Sequence, residues 1–165
     1  GCIAIALATN IPHAEVTAID ISPAAVRVAV ENARFNNVNV RFLVMDFFDT
    51  QLARPEKAGI IVSNPPYVKE SEKNLMRRNV LDYEPPGALF VPDGNPLEGY
   101  KAILRLAETN LAVNGTIYFE INETMGDELA RILHASGYRE IDLKKDINGR
   151  NRFIKAVKND RDRTV

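Results

Sequence analysis

Cysteine, histidine and tryptophan are the scarce residues of this chain: one, two and none among 165. Cys2 has no second cysteine to pair with, which excludes an intramolecular disulfide and fits a reducing cytoplasm. His13 and His134 are scattered rather than set at ligand spacing, so no metal is expected. The apolar runs are too short to cross a bilayer, and no basic stretch leads into a signal-like segment, so no membrane partner is expected. Charge of one sign is not in excess either. At −1 the net charge lacks the cation surplus that a sequence-independent grip on nucleic-acid phosphates needs, so no direct nucleic-acid binding is expected.

What remains is an ordinary globular composition, 45% hydrophobic and 26% charged, in a length that suits one domain with a sizeable core. Strand-like and helix-like stretches alternate. Cys2–Thr9 reads as a helix, Glu15–Asp20 as a strand, and Ser22-Pro23 as the cap and first turn of a helix running to Phe35. Val38–Met45 and Ala58–Ser63 read as strands, the second a short apolar segment of the buried parallel kind. The stretch from Lys69 to Asn95 is polar and proline-rich, too long for a passive connection, and is expected to be functional. Asn95-Pro96-Leu97-Glu98 reads as a capping box opening a helix whose stripe is Tyr100, Ile103, Leu104, Ala107 and Leu111. Asn114-Gly115 then turns into a strand, Thr116–Ile121, and Thr124 is expected to cap a helix ending at Gly137. Tyr138–Lys144 and Arg152–Val157 read as a closing hairpin, and Asn159–Val165 as a charged tail. Strands alternating with helices, then a terminal hairpin, imply an α/β fold with a mostly parallel, doubly wound sheet and one antiparallel strand near the C-terminus.

Asn64-Pro65-Pro66-Tyr67 follows directly on the Ala58–Ser63 strand. Two prolines without N–H groups end the ladder, and the first of them holds Asn64 extended. Asn64 is therefore placed at the carboxyl end of a strand, where open α/β sheets bind ligands. A side-chain amide oxygen, the Pro65 carbonyl and the Tyr67 ring together suit a planar NH2 group: two oxygens for its hydrogens and a ring for its face.

The tetrapeptide resembles the catalytic loop of S-adenosylmethionine-dependent methyltransferases that modify amide or exocyclic amino nitrogens. By itself it leaves open protein-glutamine N5-methyltransferases and nucleic-acid N6-adenine or N4-cytosine methyltransferases. Glu84-Pro85-Pro86-Gly87-Ala88-Leu89 with Asp93-Gly94 and Gly99, and Asp146-Ile147-Asn148-Gly149-Arg150-Asn151-Arg152, are similar to stretches of the release-factor glutamine N5-methyltransferases. Gly1 to Ala8 resembles the tail of that family's Gly-rich cofactor loop and the helix after it. The resemblance implies a Rossmann-like class I catalytic domain over residues 1–165 and S-adenosylmethionine as cofactor. It also implies a peptide chain release factor as protein substrate. The family's first strand and its helical substrate-binding domain would lie before Gly1, so the chain alone is expected to bind the cofactor weakly.

An acid at the end of the first strand, Asp20, suits ribose hydroxyls in dinucleotide folds. The resemblance adds Asp46 and Phe47 at the adenine, with Gly1, Ile21 and Asn64 completing the expected cofactor set. Asn64, Pro65 and Tyr67 form the expected catalytic set. Pro66 and Glu84 join them on the substrate side, Glu84 as a loop-holding acid or a substrate contact. Glu120, Arg150 and Arg152 read most simply as solvated or paired charges. Two rival readings stand beside methyl transfer to glutamine: a nucleic-acid N6-adenine methyltransferase, which needs a basic groove and a flipped base, and an inactive binding fragment.

Overall fold

The computed structural model describes residues 1–49, 57–76 and 78–160. By its own contacts the chain forms two compact units, Gly1–Gln51 and Leu52–Val165.

The first unit holds α1 (Cys2–Asn10), β1 (Val16–Asp20), α2 (Pro23–Phe35) and β2 (Val40–Val44). Both ends of α2 follow from local chemistry. The Ser22 side chain accepts the Ala25 N–H at 3.2 Å, and Pro23 occupies the first turn. At the other end Asn37 adopts φ 54°, while the Val38 and Asn37 N–H groups return to the carbonyls of Ala33 and Arg34. That is the double closure of a Schellman cap, with asparagine in the place glycine usually takes. β1 and β2 pair in parallel from Val16↔Val40 to Asp20↔Val44. Among the described residues of this unit, the buried apolar side chains are Ala4, Ile5, Ala29 and Ala33. Gly1 lies so close to α2 that a Cβ on it would stand 2.6 Å from the Ala29 Cβ.

The second unit holds β3 (Ala58–Ser63), β4 (Val68–Lys69), a 3-10 helix (Glu70–Leu75), α3 (Arg78–Leu81), α4 (Pro86–Leu89) and β5 (Phe90–Val91). It continues through α5 (Glu98–Asn110), β6 (Leu111–Glu120), α6 (Gly126–Ala135), β7 (Tyr138–Lys145) and β8 (Asn151–Lys158). Its main sheet runs β3-β6-β8-β7. β3 and β6 are parallel, and β8 is antiparallel to both β6 and β7. The expected antiparallel strand is thus β8. The parallel pairs fall in three sheets: β1-β2 in the first unit, and β3-β6 and β4-β5 in the second.

The largest buried side chains, Tyr100, Leu111, Ile117, Phe119, Ile121, Leu129, Leu133 and Ile154, all belong to the second unit. Tyr100 and Phe119 meet edge to face with ring centroids 5.2 Å apart. The C-terminus of α5 is closed from the sheet: Lys158 Nζ donates to the carbonyls of Ala107, Glu108 and Leu111 at 2.8–3.0 Å.

Two helix starts differ from expectation. α5 opens at Glu98 with Leu97 as its cap, not at Asn95, because the Asn95 side chain donates to Glu98 Oε2 instead of accepting from the helix. α6 opens after Met125, and Thr124 is itself held by the Asn122 side chain, which accepts from the Thr124 N–H and hydroxyl at 3.0 Å. The segment from Lys69 to Asn95 is built rather than loose. β4 and β5 pair in parallel, Ser71 donates twice to Asp93 Oδ1, and Lys73 stands over the Phe90 ring. Arg77 of that segment and residues 161–165 of the expected tail lie outside the described residues.

Candidate active site

In the second unit β3 ends at Ser63, paired with Phe119 of β6, and Asn64–Tyr67 leaves the sheet before β4 re-enters a ladder at Val68. Asn64 is exposed, Pro65 buried, and Pro66 and Tyr67 half-buried. Gly99 explains how the start of α5 can lie against this loop. A Cβ there would stand 3.3 Å from the Pro65 Cβ and 3.9 Å from the Pro66 carbonyl oxygen.

The Tyr67 hydroxyl donates to Glu120 Oε1 at 3.0 Å, and the Tyr100 hydroxyl donates to the Glu120 backbone carbonyl at 3.1 Å. Burial first, and then the Glu120 carboxylate, push the Tyr67 hydroxyl above its ordinary pKa, and the Arg152 guanidinium partly opposes them. Burial drives Tyr100 further in the same direction. Arg152 reaches Asp146 Oδ2 through Nε and Nη2 at 3.4 Å. Asp146 in turn accepts the Asn148 and Arg150 N–H groups at 2.9 and 3.1 Å, closing the β7–β8 turn. The Arg150 N–H is the chief reason that the Asp146 carboxyl sits below the usual range. Arg150 pairs with Glu123 at 3.1 Å.

Beside Tyr67 opens a cavity of about 270 Å³, lined also by Glu72, Asn122, Glu123, Thr124, Arg150 and Arg152. An adjoining cavity of about 340 Å³ shares Glu123, Thr124 and Arg150 with it. Both are polar and carry charges of both signs. Such walls suit a peptide segment, with its own donors and acceptors, better than a hydrocarbon.

The sequence therefore located Asn64, Pro65, Pro66 and Tyr67 correctly as one strand-end loop, but the partners of the tyrosine hydroxyl were missed. Glu120 ends a strand and Arg152 follows the hairpin turn; only the register Glu120↔Phe153 sets them side by side. The paired spacing of Asp146 and Arg152 across a turn was the available signal. Glu84 stands exposed in the bend before α4.

The other expected residues cluster in the first unit. Asp20 ends β1, and the Met45 N–H donates to its carbonyl at 2.9 Å, which ties together the carboxyl ends of β1 and β2. Asp20 Oδ1 accepts the Ser22 N–H at 2.8 Å, and Asp46 Oδ1 accepts the Phe48 N–H at 2.9 Å. Ile21 is 64% exposed beside Asp20, an apolar surface next to a carboxylate. Phe47 stacks on Phe48 with centroids 4.6 Å apart. Asp20, Ile21, Asp46 and Phe47 thus share one end of the β1–β2 sheet.

Parallel strands linked by helices, with the expected site residues at the strands' carboxyl ends and the antiparallel β8 in the second sheet, define a Rossmann-like fold of the class I methyltransferase type. A methyltransferase from Pyrococcus furiosus shares it, with a TM-score of 0.65 at 15% identity, over 96% of this chain and 70% of that one. The chain belongs to the methyltransferase small domain family, whose model matches residues 1–91. It is 46% identical to the release factor glutamine methyltransferase of Flavobacterium psychrophilum, over 94% of this chain and 54% of that protein. To the protein of the same name from Bacteroides thetaiotaomicron it is 44% identical, over 94% and 56%. The chain spans about half the length of these curated relatives.

Proposed function

We propose that this chain is the catalytic part of an S-adenosylmethionine-dependent methyltransferase acting on the side-chain amide nitrogen, N5, of a glutamine in a peptide chain release factor. One observation carries the reading: Asn64-Pro65-Pro66-Tyr67 stands at the carboxyl end of β3, beside a polar cavity, in a chain this similar to release factor glutamine methyltransferases. The reaction belongs in the cytoplasm, where release factors act. Among the described residues no helix is long and apolar enough to cross a membrane.

The first unit has groups that fit the cofactor. Asp20 and Asp46 each spend one carboxylate oxygen on a local turn. The second oxygen of each can accept from a ribose diol or an exocyclic amine. Ile21 and Phe47 offer apolar surface to a purine face, and Gly1 sits where a side chain would collide with Ala29. Bound there, the cofactor would supply an electrophilic sulfonium methyl group, its S–CH3 bond breaking to leave a neutral thioether.

An amide nitrogen is a poor nucleophile because its lone pair is delocalised into the carbonyl. Asn64 Oδ1 and the Pro65 carbonyl accept its two N–H hydrogens and aim the nitrogen. The same oxygens stabilise the positive charge that develops as the new C–N bond forms. The Tyr67 ring covers the plane of the amide, and one N–H proton is finally released to water. Orientation of this kind can lower a barrier by about 7–11 kcal/mol, and preorganised dipoles contribute several more.

The test is a competition for label. The protein is incubated with methyl-labelled S-adenosylmethionine and a release factor, or with DNA or RNA in its place. Label in the release factor alone supports the reading; label in nucleic acid alone replaces it with the adenine-methylating alternative.

A further inference from the structure

We propose that Glu120, which accepts the hydrogen of the Tyr67 hydroxyl, and Arg152, which lines the same cavity as Tyr67, are positioning residues that fix the ring covering the acceptor amide. The inference rests on the reading of Asn64–Tyr67 as the acceptor site. A tyrosine hydroxyl has one hydrogen to donate and lone pairs to accept. At Tyr67 the hydrogen goes to Glu120 Oε1 at 3.0 Å, and Arg152 lines the same cavity as the ring, where its charge acts on the hydroxyl.

Each holder is itself held. The backbone of Glu120 is fixed by its pairing with Phe153 and by the hydroxyl of Tyr100, which is wholly buried. Arg152 is anchored by Asp146 Oδ2 and reaches the Ile121 carbonyl at 3.5 Å. Asp146 is in turn fixed by the N–H groups of its own turn. The chain of contacts thus runs from the closing hairpin to the acceptor loop. A half-buried tyrosine at a cavity wall needs none of this to stay folded, since its hydroxyl can face water. Tethering the tip to a carboxylate restricts the orientation of the ring, which a planar acceptor requires and a filler does not.

Because the groups act through one hydroxyl, their effects cannot add once it is removed. Glu120→Gln, Arg152→Met and Tyr67→Phe are made singly, and the first two also in the Tyr67→Phe background, in the protein that carries this chain. Each single change is expected to lower kcat on the glutamine acceptor by about tenfold, as loss of a hydrogen bond to a charged group does. KM for S-adenosylmethionine should stay unchanged. In the Tyr67→Phe background neither further change should lower kcat by more than about twofold. A second readout needs no catalysis: the 13Cζ resonance of Tyr67, assigned through its loss in Tyr67→Phe, should move in both Glu120→Gln and Arg152→Met. Losses that multiply in the Tyr67→Phe background, or a Tyr67 resonance that stays in place, overturn the proposal. A wild-type protein that methylates no glutamine sinks the functional reading instead, and the resonance then decides alone whether the tether exists.

Discussion

Replacing Asn64 by alanine should separate catalysis from folding. The side chain is exposed and stands after the last residue of the β3 ladder, so its loss opens no cavity. Surface changes of this type alter stability by about 0.5 kcal/mol or less, which is about 1–2 °C in melting temperature for a chain of this size. Its amide oxygen, however, is one of the two acceptors proposed for the substrate N–H hydrogens. Removing one preorganised polar group costs about 10²–10³ in kcat, or about 2.7–4 kcal/mol of transition-state stabilisation. Affinity for S-adenosylmethionine should hardly change, because the oxygen is proposed to serve the acceptor. Single-turnover methylation at saturating cofactor, beside a thermal melt and a cofactor titration, reads all three quantities. Turnover within about twofold of the wild type would remove Asn64 from the mechanism. A loss of activity matched by a large fall in melting temperature would show that the residue supports the loop.

Other expectations concern stability. Lys158→Met removes a charged donor from three carbonyls at the end of α5 and should cost about 2–3 kcal/mol, read as a fall of roughly 4–12 °C in a melt. Acid should destabilise the fold. Asp146 is held low chiefly by the Arg150 N–H, Asp93 by the Ser71 hydroxyl and Glu98 by Arg105. A carboxyl depressed by folding contributes stability above its unfolded value, about 3.9 for Asp and 4.3 for Glu, and loses it as pH falls through the lower folded value. Denaturant melts from pH 7 down to about 2 should show that loss, and Asp146→Asn should make the decline shallower.

Where structure is decided locally, the sequence was a sufficient guide. Ser22-Pro23 started α2 as expected, Tyr100, Ile103, Leu104 and Ala107 of the expected stripe are buried on α5 while its fifth member, Leu111, is buried as the first residue of β6, and Asn64 stands after the end of β3. Local signals misled where two side chains could satisfy each other. Asn95 and Glu98 have the spacing of a capping box, yet the Asn95 side chain donates to Glu98, which also accepts from Arg105, leaving Leu97 to cap the helix. The short ladder of β4 and β5 was hidden for a different reason. Two-residue strands carry no periodicity, and the contacts that fix them, Ser71 to Asp93 and Lys73 over Phe90, span long separations. The same holds for Tyr67, Glu120 and Arg152, whose meeting depends on the register of β6 against β8. Motifs thus pointed to the loop, and the sheet shows what holds its tyrosine.

The central claim, transfer of a methyl group to a glutamine amide at the Asn64–Tyr67 loop, is tested most directly by mass spectrometry of a release factor treated with S-adenosylmethionine and the protein carrying this chain. A single added methyl group on one glutamine side chain, lost when Asn64 is alanine, is the expected result. Methylation of adenine in nucleic acid with none on the release factor, or glutamine methylation undiminished in the Asn64→Ala protein, would contradict the account.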